Sequence, residues 1–281
     1  MATTDSLSGT YAGLAFDEYG CPDARPALVL LHGLTFDRTM WRSTLAALET
    51  IQPGRRAIAL DLPGHGRSPD APTYSLTASV ERVRAAILEA GLDNPVLVGH
   101  SGSASIAAMY AAQFPTNGLV QVEGTADVAP FAELVQSLAP VFRGPGFDAA
   151  WSQVAANVFR LDEVSAEVRS FVETTSRPRQ GIVLGYWQDL FDIPPADLEA
   201  WVVRGAAQVR ERGVPVTSVV GHDPSPAETD WLRANLPDAR TLVWSGSGHF
   251  PHLAHPERFA ELLAATAVRS SVREPLASAA R

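Results

Sequence analysis

A serine near residue 101 and a histidine near residue 249 are the side chains in this sequence best placed to do chemistry together. Gly99-His100-Ser101-Gly102-Ser103 follows the apolar run 95–98 and opens the Ala-rich stretch 102–113. It fits the G-x-S-x-G turn between a strand and a helix, with Ser103 in the last small position. Small neighbours let the backbones approach at so sharp a turn, and the turn leaves the serine hydroxyl in the open. The Gly102 N–H then lies at a helix N-terminus, where it can stabilise developing negative charge. A serine is a weak nucleophile unless a base takes its proton, and a neutral imidazole suits that task near pH 7.

Three histidines compete for the base in Gly246-Ser-Gly-His249-Phe-Pro-His252-Leu-Ala-His255. His249 is preferred, because it is flanked by small residues and lies closest to the preceding apolar run. Three clustered histidines could also hold a metal, but no acidic ligand accompanies them. The expectation is no metal and no organic cofactor. His32-Gly33-Leu34 follows the apolar run 27–31, and the Leu34 N–H is the expected partner of Gly102 in an oxyanion hole. Asp61-Leu-Pro-Gly-His-Gly-Arg-Ser68 reads as a structural loop, with His65 a loop histidine rather than a base.

In order, HGL, DLPGHGRS, GHSGS and SGHFPHLAHPERF resemble the motifs of the α/β-hydrolase superfamily. The resemblance covers the chain outside its middle third. It implies an eight-stranded, mostly parallel sheet, a cap, and a Ser–acid–His triad in that chain order. The acid is where the sequence departs from pattern. It usually stands three residues beyond a Gly after the strand read here at 216–220, but in Gly221-His222-Asp223-Pro224 the aspartate comes one residue early. The competitor is Glu123, at the end of the run 119–122. Some superfamily members, certain dehalogenases and zearalenone-type lactonases among them, draw their acid from that neighbouring strand, often as Glu, whose longer side chain can span the extra distance. The usual strand order makes Asp223 the preferred acid, with Glu123 the alternative. The stretch 249–259 is also similar to zearalenone-type lactonases.

Elements able to position these residues are legible as alternating apolar runs and helical patterns. Short continuous runs at 27–31, 56–60, 95–98, 119–122, 216–220 and 241–244 read as buried strands. Helices are expected over 40–49, from a Ser75 or Thr77 cap to Ala90, over 102–113 and over 256–268. This alternation predicts an α/β fold with helices on both faces of a parallel sheet. It breaks between about 126 and 203, where Trp151, Phe159, Phe171, Tyr186, Trp187 and Phe191 fall in helical patterns. That stretch reads as a helical cap insertion over the sheet's C-terminal edge; two core helices with long loops are the alternative. The organisation expected is a core of 1–125 and 204–281 interrupted by a cap of 126–203. Tyr186 and Trp187 are candidate substrate-binding residues, although aromatics in helices more often pack a core. The tail 269–281 is small and polar and is expected to fray.

A net charge of −9 with dispersed acids argues against nucleic acid, which is bound through clustered Lys and Arg. The single cysteine, Cys21, permits no disulfide within the chain. The N-terminus shows no secretory pattern and no apolar run is long enough to span a membrane, so a cytoplasmic location is expected. A serine nucleophile disfavours epoxide or haloalkane chemistry, which needs a carboxylate to form an alkyl ester. The reading is hydrolysis of a small-molecule carboxylic ester or lactone through an acyl-enzyme. C–C bond hydrolysis and thioester hydrolysis on the same triad are alternatives, as is a non-catalytic small-ligand receptor. A homodimer is compatible with the sequence.

Overall fold

The computed structural model of the chain describes residues 6–124 and 127–266. Eight strands form one sheet: β1 (Leu7–Tyr11), β2 (Leu14–Tyr19), β3 (Leu28–Leu31), β4 (Ala57–Leu60), β5 (Val96–His100), β6 (Gly118–Val122), β7 (Val216–Val220) and β8 (Arg240–Val243). Their spatial order is β1-β2-β4-β3-β5-β6-β7-β8, and β2 alone runs against the others. The chain leaves β3 toward β4 on one side and later returns to its other side as β5. That reversal opens a crevice at the carboxyl ends of β3 and β5, where ligands bind in open α/β sheets.

The buried strands explain both faces. Along β3, Leu28 and Leu30 join one core with Met40, Trp41 and the helices α1 (Arg42–Ile51) and, at the chain's end, 256–265. Val29 and Leu31 join the other core, with α2 (Leu76–Glu89) and α3 (Gly102–Gln113). Ser75 caps α2 by accepting the Ala78 N–H, as its position in the sequence predicts. The hairpin β1–β2 was not read from the sequence. Its turn is Ala12-Gly13, both in the left-handed region at φ 48° and 80°, which matches the twist of a two-residue hairpin.

Between β6 and β7 the chain is helical: α4 (Ala129–Ser137), α5 (Ala139–Phe142), α6 (Phe147–Phe159), α7 (Ala166–Thr175), α8 (Gln180–Tyr186), α9 (Gln188–Asp192) and α10 (Pro195–Glu211). Phe142, Phe147, Trp151, Phe159 and Trp187 are buried in it, in a cluster continuous with the sheet through Phe36 and Phe250. The boundary expected at 125–126 lies outside the described residues. The boundary expected at 203–204 falls inside α10, which packs along α3 and ends just before β7. The helices α11 (Pro226–Asn235), α12 (Pro251–Ala254) and α13 (Pro256–Ala265) complete the chain, and the tail 269–281 lies outside the described residues. Among the described residues no helix is long and apolar enough to cross a membrane.

Several histidines are buried beneath the crevice as neutral rings. Burial pushes His32 down to about 4, and His65 and His252 each down to about 3. It holds His100 well below the usual histidine range. In the unfolded chain these rings bind protons near the ordinary value of 6.5, so below that pH the unfolded state holds more protons and stability must fall. Each such ring costs about 2 kcal/mol at pH 5, a large share of a domain's stability. His222, held above the usual range by Glu123, works in the opposite direction but is a single group. The melting temperature should therefore drop steeply between pH 6.5 and pH 4; an unchanged melting temperature over that window in a calorimetric pH series would contradict these burials.

Candidate active site

Ser101 stands between β5 and α3 with φ 55° and ψ −127°, a conformation costly for a residue with a side chain. Its surroundings hold it there. The Ser101 N–H donates to the Val122 carbonyl at 2.8 Å. Ser103 Oγ accepts the His100 N–H at 3.0 Å and reaches the Leu31 carbonyl at 2.8 Å, tying the turn to β3. A Cβ on Gly99 would come within 2.5 Å of the Ser103 carbonyl oxygen, so the position before the turn must be glycine. Ser103, read as merely small, thus also supplies the hydrogen bonds that fasten the turn.

His249 lies in the loop between β8 and α12 and is buried. Its Nδ1 is 3.0 Å from Glu123 Oε2, and its Nε2 is buried with no hydrogen-bond partner among the described residues. Its ring therefore has one nitrogen committed to a carboxylate and the other free for a substrate-side hydroxyl. Ser101, Gly102, Leu34, Glu123 and His249 all line one cavity of about 720 Å³. The Leu34 N–H lies outside the helices and strands and meets no backbone acceptor among the described residues; Gly102 is the first residue of α3, where a helix leaves its N–H groups unpaired.

The acid corrects the sequence reading. Asp223, the preferred candidate, is exposed and makes no hydrogen bond to His249. Glu123 is the carboxylate that meets the imidazole. The reason is geometric: Asp223 lies two residues past Gly221, by which point the chain has turned outward, whereas Glu123 leaves the end of the adjacent β6 with φ 52° and points across the end of β7. Its N–H donates to the Val219 carbonyl at 2.9 Å and its Oε1 accepts the Gly221 N–H at 2.5 Å. Burial opposes charge on Glu123, but hydrogen bonds from His249 and the Gly221 amide, with the His222 ring 3.5 Å away, outweigh it. Together they hold the carboxyl well below the usual carboxylate range.

The remaining histidines sort by environment. His252 is fully buried between Trp41 and His100, both at 4.6 Å between ring centres, and does not line the cavity. His255 packs its edge on Trp244. His65 does line the cavity, but it accepts the Thr35 N–H through Nε2 and donates through Nδ1 to the Pro63 carbonyl. His32 similarly accepts the Leu62 N–H and donates to the Gly33 carbonyl, joining the loop that carries Leu34 to the loop after β4. That second loop is anchored by Asp61, which pairs with Arg38 and accepts the Arg67 N–H. Among the described residues no group of three or more His, Cys, Asp or Glu side chains is disposed to hold a metal ion.

Tyr186 and Trp187 both line the cavity, Tyr186 with its hydroxyl on the Pro63 carbonyl at 3.0 Å and Trp187 packed on Phe131, Phe142 and Trp151. Three further residues of the site gave no signal in the sequence. His100 donates through Nε2 to the His249 carbonyl at 2.8 Å; Arg160 and His222 both reach Glu123. His100 occupies the unspecified position of its turn motif, and Arg160 lies 37 residues from the carboxylate it meets.

The family model for the alpha/beta hydrolase family matches residues 28–262, and the chain belongs to that family. It is 28% identical to the pimeloyl-[acyl-carrier protein] methyl ester esterase of Neisseria meningitidis over 254 residues, covering 86% of this chain and 93% of that protein. It is 43% identical to human protein ABHD14A over 112 residues, a match that spans 38% of each. Among solved structures it is similar in fold to a thermophilic esterase from Thermogutta terrifontis, with TM-score 0.68 and 23% identity over 94% of this chain and all of that one. The relative matched along most of its length is thus an esterase, while the likeness to the solved structure shows the fold.

The two acids separate in solution. Glu123→Gln should lower kcat on an accepted ester by about 10⁴-fold, as loss of the orienting acid does in serine proteases. Asp223→Asn should leave turnover nearly intact. Circular dichroism must show both folded; an inactive Asp223→Asn beside an active Glu123→Gln would restore the sequence's first choice.

Proposed function

We propose that the chain hydrolyses carboxylic esters or lactones through an acyl-enzyme formed on Ser101. The observation that carries this reading is His249 held at Nδ1 by a buried, ionised Glu123, its Nε2 left without a hydrogen-bond partner among the described residues, and its ring lining the same cavity as Ser101. In this mechanism Nε2 takes the Ser101 proton as Oγ attacks the carbonyl carbon. The Leu34 and Gly102 N–H groups receive the oxyanion. Collapse expels the alcohol, which takes the proton back from the imidazolium, and water then repeats the sequence to release the acid. Glu123 stays ionised throughout and stabilises the imidazolium that forms twice per cycle.

The serine nucleophile supports acyl chemistry over displacement at an alkyl carbon, even though dehalogenases share the fold. The end-to-end likeness to a methyl ester esterase supports an ester as the substrate. The seat of Glu123 after β6 supports the lactonase-like variant of the triad noted in the sequence. We further infer that the helices between β6 and β7 act as a cap. Trp151, Phe159, Tyr186 and Trp187 from this segment line the cavity, so an apolar acyl or alcohol group would rest on them.

Ser101→Ala should leave the fold intact and cut turnover on a panel of short esters and lactones by about 10³-fold or more. Near-normal kcat in that variant on every accepted substrate would rule out the acyl-enzyme. A wild-type protein that binds but never turns over any member of the panel would favour a ligand receptor.

A further inference from the structure

The groups that steady Glu123 arrive from three separate loops, and one belongs to the helical insertion. Oε1 accepts the Gly221 N–H and faces His222 Nδ1 at 3.5 Å. Oε2 accepts from His249 Nδ1 at 3.0 Å and from Arg160 Nη2 at 3.2 Å. The same Arg160 nitrogen donates to the Gly248 carbonyl at 2.9 Å. One guanidinium nitrogen therefore spans the acid and the peptide just before the histidine.

Arg160 is the residue that ends α6, in a left-handed conformation with φ 45° that is uncommon for a residue with a side chain. The backbone beside it grips the same loop. The Phe159 carbonyl accepts the His249 N–H at 3.1 Å, and the Phe159 ring stacks on the imidazole at 5.9 Å with 19° between planes. A Cβ on Gly248 would lie 2.7 Å from the Arg160 carbonyl oxygen and 2.8 Å from that of Phe159, so only glycine lets the two segments touch. The insertion is thus fastened to the histidine loop by its backbone and to the acid by a charge.

Arg160, His249 and His222 face Glu123 directly, and behind His249 lie the buried rings of His100, 5.1 Å away between ring centres, and His252, 4.6 Å beyond His100. Glu228 lies 3.6 Å behind His222 on α11, and Glu163 lies 3.9 Å from Arg160 Nε. The Glu123 side chain is 4% exposed and that of Arg160 23%, so their interaction is only partly screened.

We propose, building on the Ser101–His249–Glu123 reading, that Arg160 is a positioning residue through which the seated insertion holds the triad acid. The guanidinium fixes the Glu123 carboxylate toward His249 by a charge-assisted hydrogen bond. Its positive charge also offsets part of the carboxylate's pull on the imidazolium.

The test compares wild type, Arg160→Met, Arg160→Gln and Arg160→Lys on a soluble short-chain ester across pH, with Ser101→Ala alongside and melting temperatures for all. Each neutral variant should lose about tenfold or more in kcat, in the range seen when an outer partner of an active-site group is removed. The acidic limb of kcat against pH should move to higher pH, because the imidazolium is then better stabilised. Arg160→Lys should keep the wild-type limb. A role confined to stability would lower the melting temperature without moving the limb, and would overturn the proposal. So would a neutral variant with wild-type kcat and limb, or a limb displaced to lower pH. If Ser101→Ala keeps full activity, the triad reading itself has failed, a result distinguishable from failure at Arg160 alone.

Discussion

The hydrogen bond between Glu123 and His249 joins groups 126 residues apart, and much of the local geometry exists to let it form. Strands β6, β7 and β8 lie side by side, so the loops leaving their carboxyl ends are neighbours by topology. A carboxylate on the loop after β6 must still cross the end of β7 to reach a histidine after β8. Glutamate provides the length. Gly221 provides the clearance, because a side chain there would collide with the Gly248 carbonyl. The Gly221 N–H then becomes a donor to the carboxylate that passes it.

The serine half of the candidate site depends on a different constraint, the switch point between β3 and β5. There the loop with Leu34 and the turn with Ser101 face each other, tied by Ser103 to β3 and by His100 to the His249 carbonyl. The histidines beneath this floor are neutral because burial makes protonation costly. Glu123 is the exception that stays charged, since donors on both its oxygens outweigh the same burial penalty. Burial therefore keeps several rings neutral, while hydrogen bonding keeps the neighbouring Glu123 ionised.

Much of this was legible from residue patterns. The run 95–98 followed by Gly99-His100-Ser101-Gly102-Ser103 located the turn, and α3 and β7 begin and end where their patterns do. Glu123 was visible as a candidate at a strand end. Its advantage over Asp223 was not, because it rests on φ at Glu123 and on the outward course of the chain after Gly221, neither of which leaves a periodic signal. The β1–β2 hairpin was missed because a largely exposed first strand, Leu7–Tyr11, lacks the continuous apolar run that marks the buried strands. The expected boundary at 203–204 falls within α10, which packs on both α3 and α4, and no change of sequence pattern marks such a shared helix. Arg160 and His222 could not be found from spacing, since only the fold brings them to Glu123.

The account's central claim is that Glu123 holds His249 by a hydrogen bond at Nδ1. Proton NMR of the His249 ring N–H tests it directly. In wild type and in Asp223→Asn, the Nδ1 proton should give a downfield, solvent-protected resonance of a ring N–H bonded to a carboxylate; Glu123→Gln should lose or markedly shift it while the protein stays folded. A resonance unchanged in Glu123→Gln but lost in Asp223→Asn would contradict the account.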